Sequence, residues 1–154
     1  MGAKVKNPRK KFLWSIMFPK HPINTYLFQS CTLPDIEIDQ VAHGDVNRDV
    51  KTAGRVTIGN LIVEKLMTTA GSDTWLHDWL YSCQDHIVGG GLVPSQYWET
   101  TIVNELAEDG VSVLNTHFFE EVWPCKITGL DLDRMASENT IESIEFSVGT
   151  ADKY

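Results

Sequence analysis

Histidine and cysteine are the residue types in this chain that could supply a metal site or a nucleophile. Cys83 and His86 lie three residues apart, so both could share one face of a helix. A structural zinc site takes four ligands, and no second pair with ligand spacing follows this one. The remaining histidines are scattered, and no Gly-x-Ser-x-Gly motif accompanies them. The sequence therefore predicts neither a zinc site nor a serine nucleophile.

Two further patterns could also suggest catalysis. A phosphate-binding loop needs Lys followed by Ser or Thr at the start of a helix, and the glycine run at 89–91 has neither. Acidic pairs occur at Glu120-Glu121 and at Asp131 and Asp133, but carboxylates on a polar strand face are usually solvated. We expect no enzyme activity and no bound cofactor.

The cysteines leave two interpretations open. Cys31, Cys83 and Cys125 form no C-x-x-C pair, and an odd number cannot all pair within one chain. Reduced thiols are expected for a protein made in the cytoplasm. Disulfides between subunits, formed after release into an oxidising medium, are the alternative. The sequence does not decide between them.

Charge is unevenly distributed along the 154 residues, whose net charge is −8. Five of the 13 basic residues lie in residues 1–11, which we interpret as a flexible basic arm before one domain at 12–154. That domain carries eight basic and 21 acidic residues, a net charge of −13. Phosphate contacts require Lys and Arg, so such a body repels nucleic acid. The longest apolar run, Phe12–Phe18, is far shorter than the ~20 residues that cross a bilayer.

The first half of the domain predicts two strands separated by a long loop. Leu33–Val41 alternates, with Ile36 and Ile38 on one side and acidic residues on the other, which is typical of a half-buried strand. Arg55–Met67 is rich in Val, Ile and Thr and is apolar on both faces. We expect it to lie between a core and a neighbouring subunit. The polar stretch 42–54 predicts a loop, and a loop of this length inside a compact domain is usually either functional or disordered.

Two strand pairings are predicted from turn signals. Tyr97–Leu106 and Val111–Glu120 flank Asp109-Gly110, which is a strong hairpin signal. At the N-terminus, Phe12–Phe18 forms a first strand, which Tyr26–Ser30 completes or pairs with across an intervening turn. Because the connections are short, strands joined by them are expected to lie antiparallel.

A second hairpin is predicted over residues 121–148. Leu130 and Leu132 alternate with acidic residues, so a long strand, a turn at 136–139 and a closing strand would share one dry face. Trp123-Pro124 lies at its start, where proline removes a ladder donor and fixes φ. We therefore expect a corner between two sheets there.

One helix is predicted after residue 72. Its apolar residues recur at spacings of three and four, which indicates one face packed on a sheet; they are Trp75, Leu76, Trp79, Leu80 and Cys83. Together the elements predict a mainly β fold, namely an antiparallel β-sandwich or partly closed barrel with one flanking helix.

A set of short motifs keeps a distinctive order along nearly the whole chain from Lys11 onward. They are Phe28–Cys31, Leu33-Pro34, Asp78-Trp79, Trp123-Pro124, Gly129–Asp133, Ser137–Asn139 and Ile141–Val148. In this order and spacing they resemble the tail tube proteins of contractile-tailed bacteriophages. Each motif alone is weak, since none is a catalytic signature.

The resemblance implies an assembly and a set of partners. Six copies would close an inner β-barrel as a hexameric ring, and rings would stack into a tube that conducts DNA without binding it specifically. The tube would contact a tail sheath protein around it, and baseplate and tail terminator proteins at its ends. It implies a virion protein assembled in the host cytoplasm, with no cofactor, metal or membrane.

The resemblance also assigns residues. The loop that reaches the neighbouring ring would comprise Asp45, Val46, Asn47, Arg48, Asp49, Val50, Lys51, Thr52 and Ala53. Acidic residues that alternate with apolar neighbours would line the channel, because turning the apolar side to the core directs them away from it. The apolar neighbours are Ile36 and Ile38 on one strand and Ile102 and Leu106 on another. The candidates are Glu37, Asp39, Glu99 and Glu105.

Two other functions remain compatible with the sequence. The same fold serves pyocins, other contractile injection machines and type VI secretion rings, so a protein-conducting tube is the first alternative. A monomeric β-sandwich binding module is the second alternative, and the oligomeric state in solution distinguishes it from any tube protein.

Overall fold

The computed structural model describes residues 8–20, 28–67 and 74–153. Nine strands and two helices lie within these residues, and all strand pairs are antiparallel. The strands are β1 (Trp14–Met17), β2 (Phe28–Thr32), β3 (Ile36–Gly44), β4 (Asp49–Ile58), β5 (Leu61–Leu66), β6 (Glu99–Leu106), β7 (Val113–Ile127), β8 (Ile141–Ser147) and β9 (Thr150–Lys153), and the helices are α1 (Trp75–Cys83) and α2 (Pro94–Tyr97). The predicted mainly β, antiparallel fold with a flanking helix is confirmed.

Strand β7 belongs to both halves of a seven-stranded sheet. The order is β1-β6-β7-β8-β5-β2, and β9 also pairs with β7. The first part of β7 pairs with β6 and β9, whereas the part from Trp123 onward pairs with β8. Between them Glu121 has φ of 56°, a left-handed backbone that is uncommon outside glycine. The corner predicted at Trp123-Pro124 is therefore confirmed, with the sharp bend two residues earlier.

The core lies where the two halves of the sheet and α1 converge on Phe18. This fully buried ring lies 5.5 Å from the ring of Phe28 and 5.4 Å from that of Phe146, measured between centroids. The edges of Trp75 and Trp79 on α1 contact it as well. Tilted and T-shaped pairs of this kind add about 0.5–1.5 kcal/mol each to simple area burial.

Helix α1 confirms the predicted packing face, since Leu76 and Trp79 are buried. The indole N–H of Trp79 donates to the carbonyl of Tyr97 at 2.8 Å, which ties α1 to α2. Helix α2 was not predicted. Pro94 could have indicated the start of this helix, because proline favours the first helical position, where no N–H is required.

The tight turn between β6 and β7 forms as predicted. The carboxylate of Asp109 accepts hydrogen bonds from the backbone N–H groups of Val111 and Ser112, both at 2.9 Å, and from the Ser112 hydroxyl at 2.6 Å. These hydrogen bonds hold the pKa of Asp109 below its usual range, and the bond from the Ser112 hydroxyl has the largest effect. Gly110 has φ of 73°, so the turn uses the left-handed region that glycine enters without strain.

We expect Gly110→Ala to lower the free energy of unfolding by about 1 kcal/mol, because a Cβ disfavours this backbone conformation. Gly129→Ala is the matched control, since Gly129 has an ordinary φ and open space around it. The control should leave stability unchanged or raise it by about 0.4–1 kcal/mol. Urea denaturation compares the two, and an equal midpoint for both variants would contradict the assignment.

The predicted hairpin over residues 121–148 pairs as expected, since β7 lies antiparallel to β8, but the extent of its first strand and the predicted N-terminal pairing are wrong. The long strand does not continue to Leu132, since β7 ends at Ile127 and residues 128–140 are irregular. A longer hairpin there would extend past the sheet with no layer to pack against, and Leu132 is accordingly 78% exposed. At the N-terminus, β2 pairs with β5 and not with β1, which pairs with β6. Tyr26, part of that prediction, lies outside the described residues.

Candidate assembly surface

The residues first considered for metal or nucleophile chemistry do not converge. The Cys83 thiol donates to the carbonyl of Trp79 at 3.3 Å, whereas the His86 ring packs on Tyr81. In the part of the chain that the structure describes, no three His, Cys, Asp or Glu residues come together as metal ligands.

One charged cluster was missed from the sequence. His77 Nε2 lies 2.7 Å from a carboxylate oxygen of Glu142, whose side chain is only 1% exposed. Lys65 is fully buried and lies directly opposite Glu142 in the β5–β8 ladder. These residues are far apart in sequence, so only the strand register reveals the cluster. Side chains directly opposite in a ladder lie on the same face of the sheet, so the buried Lys65 and Glu142 are neighbours. Removing either one would leave the other charge buried without it.

The most exposed regular element is the hairpin of β3 and β4. Its strands pair from Ile36 opposite Ile58 to Gly44 opposite Asp49, as a two-stranded sheet separate from the larger one. All nine residues of β3 are exposed, including Ile36 at 60% and Ile38 at 53%. The prediction of a half-buried strand is therefore wrong. The residues alternate as predicted, but no layer formed by the described residues covers either face.

The two faces of this hairpin differ in chemistry. Ile36 lies opposite Ile58 and Ile38 opposite Val56, so these four side chains share one apolar face, of which only Ile58 is partly buried. The other face carries Glu37 and Asp39, by strand alternation. An uncovered apolar stripe of this kind is typical of a surface that binds another protein.

Residues 45–53 were predicted as a loop, which is wrong for most of them. Only 45–48 form the turn, whereas Asp49 and the following residues belong to β4. The turn is closed by the Asp45 N–H, which donates to the carbonyl of Arg48 at 2.8 Å. Val46 lies at its tip with 92% exposure. Val50 and Thr52 are β-branched and favour a strand. Pairing with β3 holds this stretch in the sheet, and the polar composition of the stretch alone did not reveal that pairing.

The four predicted channel residues occupy two different environments. Glu37 and Asp39 are exposed on β3. Glu99 is only 8% exposed, and its carboxylate lies 3.7 Å from the ammonium of Lys20. It therefore cannot present its charge to a channel in the manner expected.

Glu105 is half-buried and held by neighbours on other elements. Its carboxylate accepts hydrogen bonds from Arg9 at 3.0 Å and from Asn115 at 2.8 Å. The inference for β6 assumed that Ile102 and Leu106 face the core, whereas Thr101 and Val103 are the buried pair. Glu99 and Glu105 share their side of the strand by alternation. The facing of β6 was therefore predicted wrongly.

The three cysteines are free thiols within the subunit and partly buried. Burial raises the pKa of Cys31 to about 12. Burial is also the main cause of the raised pKa values of Cys83 and Cys125. Because the thiolate is the reactive form, all three are poor nucleophiles at neutral pH. Disulfides between subunits stay an untested prediction.

A family model described as T4-like virus tail tube protein gp19 matches residues 10–150. No curated protein matches the chain. Several solved structures are similar in fold.

Subunits of two contractile injection systems align with nearly the whole chain. One is from the anti-feeding prophage cap, the AFP tube-terminating cap, with a TM-score of 0.81 and 15% identity over 100% of this chain and 95% of that one. Another is from the PVC sheath-tube complex in the extended state, with a TM-score of 0.78 and 18% identity over 97% and 93%. Hcp1 from Flavobacterium johnsoniae aligns less closely, with a TM-score of 0.50 and 14% identity over 92% and 94%.

The fold is therefore that of the tube and tube-cap subunits of contractile injection systems. The family match extends over most of the sequence, and the chain belongs to the T4-like virus tail tube protein family. Members are structural components of a virion or injection-system particle. Neither helix in the described part of the chain has the length and apolarity needed to span a bilayer.

Proposed function

We propose that this protein assembles into hexameric rings that stack into the inner tube of a contractile tail, and that it has no catalytic role. The observation that carries the proposal is the β3–β4 hairpin, whose apolar stripe of Ile36, Ile38 and Val56 is uncovered. An isolated two-stranded hairpin is marginally stable in water, and burial against another copy would stabilise it.

Open sheet edges support the same conclusion. β1 and β2 lie at the two ends of the strand order, so each has one side without a neighbouring strand in the described sheet. Such edges are an aggregation liability unless something covers them. A ring in which neighbouring subunits meet at these edges removes the liability and limits growth to a closed assembly.

The partners and cargo follow from the family. We expect a sheath protein around the tube and baseplate and terminator proteins at its ends, since the similar structures include a sheath-tube complex and a tube-terminating cap. The match to a T4-like virus family favours DNA as the cargo, conducted without specific binding. The subunit would be made in the host cytoplasm, with residues 1–11 as an arm before the tube domain at 12–154. The family match begins near that boundary.

A protein-conducting tube is the second candidate. It is supported by the similarity to subunits of the PVC and anti-feeding prophage particles, which covers nearly the whole chain. Particles purified from the producing cells distinguish the two cargoes, because only a tail attached to a DNA-filled capsid contains nuclease-protected DNA.

The assembly itself is tested with the purified full-length chain. We expect size-exclusion chromatography to show a species of six times the 17.3 kDa subunit mass, and negative-stain micrographs to show rings or tubes. The concentration should be raised stepwise, because association depends on it. A species of subunit mass at every concentration, without rings or tubes, would contradict the proposal and favour a monomeric binding module.

A further inference from the structure

The turn between α1 and α2 presents an apolar tip to solvent. Ile87 and Val88 at this tip are each 82% exposed. The Asp85 carboxylate accepts hydrogen bonds from the N–H groups of both residues, at 2.8 and 3.3 Å. The backbone of Asp85 also exchanges hydrogen bonds with Gly89 and Gly90. We name residues 85–90 the apolar knob.

The knob is held in one conformation by its glycines. Gly89 and Gly90 have φ of 76° and 99°, which non-glycine residues rarely adopt. Gly91 lies so close to the carbonyl of Cys83 that an added Cβ would collide with it. The Leu92 N–H donates to the carbonyl of Ser82 at 2.9 Å, which fixes the end of the turn to α1. A preorganised apolar tip loses little entropy when it binds.

An apolar groove of about 910 Å³ lies between β1 and β2. We name it the edge groove. Its apolar lining is Phe12, Trp14, Ile16, Phe28, Cys31 and Leu106. Phe12 is 76% exposed and accessible to a partner, whereas Ile16 and Phe28 are buried at the base of the groove. Arg9, Lys10 and Lys11 lie at its rim, which makes it locally basic on an acidic protein.

The knob and the groove lie at opposite ends of β6. Helix α2, which follows the knob, leads directly into β6 at Glu99, whereas the groove is lined by Val103, Glu105 and Leu106 near the other end. A strand of eight residues spans roughly 23 Å at ~3.3 Å per residue. None of the knob residues lines the groove, so the two features are separate surfaces of one subunit. Two copies arranged head to tail bring them together, and repetition of such a contact gives a ring or a filament.

The charges at the two surfaces are complementary. Hydrogen bonds from the backbone of Ile87 and then Val88 lower the pKa of Asp85, so the knob carries a carboxylate at neutral pH. Lys10 and Lys11 are exposed at the rim of the groove. Complementary charges beside an apolar contact fix its orientation and speed association.

We propose that Ile87 and Val88 of one subunit insert into the edge groove of a second copy, with Asp85 beside the basic rim. This contact rests on the proposed self-assembly and specifies one of its interfaces. It is a heterologous contact, since two different surfaces meet.

The test uses two variants of the full chain. Ile87→Ser with Val88→Ser removes the apolar tip but keeps the backbone hydrogen bonds of the knob. Phe12→Asp places a carboxylate in the groove opposite Asp85. We expect each variant to need a protein concentration roughly tenfold or more above wild type for assembly, measured by analytical ultracentrifugation. Thermal melting should be unchanged, because these side chains are exposed in the subunit.

Mixing the two variants tests the head-to-tail geometry. The knob variant keeps an intact groove and the groove variant keeps an intact knob, so an equimolar mixture should form a mixed dimer that neither forms alone. Leu132→Ser with Met135→Ser is the control, because these residues are 78% and 92% exposed in the 128–140 segment. The control should assemble as wild type does.

The outcomes separate this inference from the proposed function. Assembly of either variant at the wild-type concentration, or a mixture without a mixed dimer, overturns the knob-and-groove contact while tube formation stands. Failure of the wild-type chain itself to assemble overturns both.

Discussion

Shortening the β3–β4 hairpin should abolish long tubes without unfolding the subunit. Gln40 lies opposite Ala53, so replacing residues 41–52 by Asn-Gly closes the hairpin with a tight turn and keeps the remaining register. None of the removed side chains is buried, so the thermal midpoint should change by only a few degrees. The lost surface is the part of the hairpin that extends furthest from the core. We expect rings or monomers in negative-stain micrographs where wild type forms tubes.

A deletion of similar size elsewhere controls for the loss of exposed surface. Residues 129–139 are irregular and largely exposed, and a short Gly-Ser linker can replace them. That variant should still form tubes. Long tubes from the shortened hairpin would refute its role in stacking, and loss of tubes from both variants would show that the effect is not specific to the hairpin.

Three features of the fold could be predicted because their signal is local. Asp109-Gly110 fixes a tight turn through a carboxylate cap and a left-handed glycine, both of which depend on adjacent residues alone. Trp123-Pro124 marks a corner because proline removes a ladder donor wherever it occurs. Helix α1 could be predicted from the spacing of Leu76 and Trp79, which places both on one helix face, and that face is buried in the structure.

Burial was harder to predict, because alternation does not say which face is covered. In β6 both faces carry apolar residues, and the structure buries Thr101 and Val103 where the sequence suggested Ile102. In β3 the alternation around Ile38 is regular, yet both faces are exposed in the part of the subunit that the structure describes. In the proposed assembly another copy covers the apolar face of this strand, and the alternation in the sequence reflects that contact.

The edge groove was not predictable from the sequence, because it joins distant parts of the chain. The edge groove combines Phe12 with Leu106, and the pairing of β1 with β6 brings these residues together. Ile87 looked like an ordinary loop residue, since only the hydrogen bonds to Asp85 show that its position is fixed. The family resemblance assigned residues 45–53 an assembly role, which stays a prediction, and their polarity did not reveal that most of them form strand.

Of the four acidic residues predicted to line the channel, Glu37 and Asp39 remain candidates, because both are exposed. Both are exposed on the face of β3 opposite the apolar stripe, so burial of the stripe in an assembly directs them away from the contact. If that side is the channel, a negative wall keeps phosphates from adhering as DNA slides. Glu37→Lys with Asp39→Lys should permit assembly but create phosphate contacts. Each Lys should add roughly one unit to the salt dependence of DNA binding by tubes.

The control makes the same change of charge at two other positions. Glu108→Lys with Asp131→Lys changes two exposed acidic residues in the turn after β6 and in the 128–140 segment. Particles with the β3 changes should adsorb to cells normally and deliver their genomes slowly or incompletely, whereas control particles should deliver at the wild-type rate. Quantitative PCR of injected DNA against adsorbed particles measures the difference. Normal delivery together with failed sheath attachment would place Glu37 and Asp39 on the outer wall, because a lysine there disturbs the sheath and not the cargo.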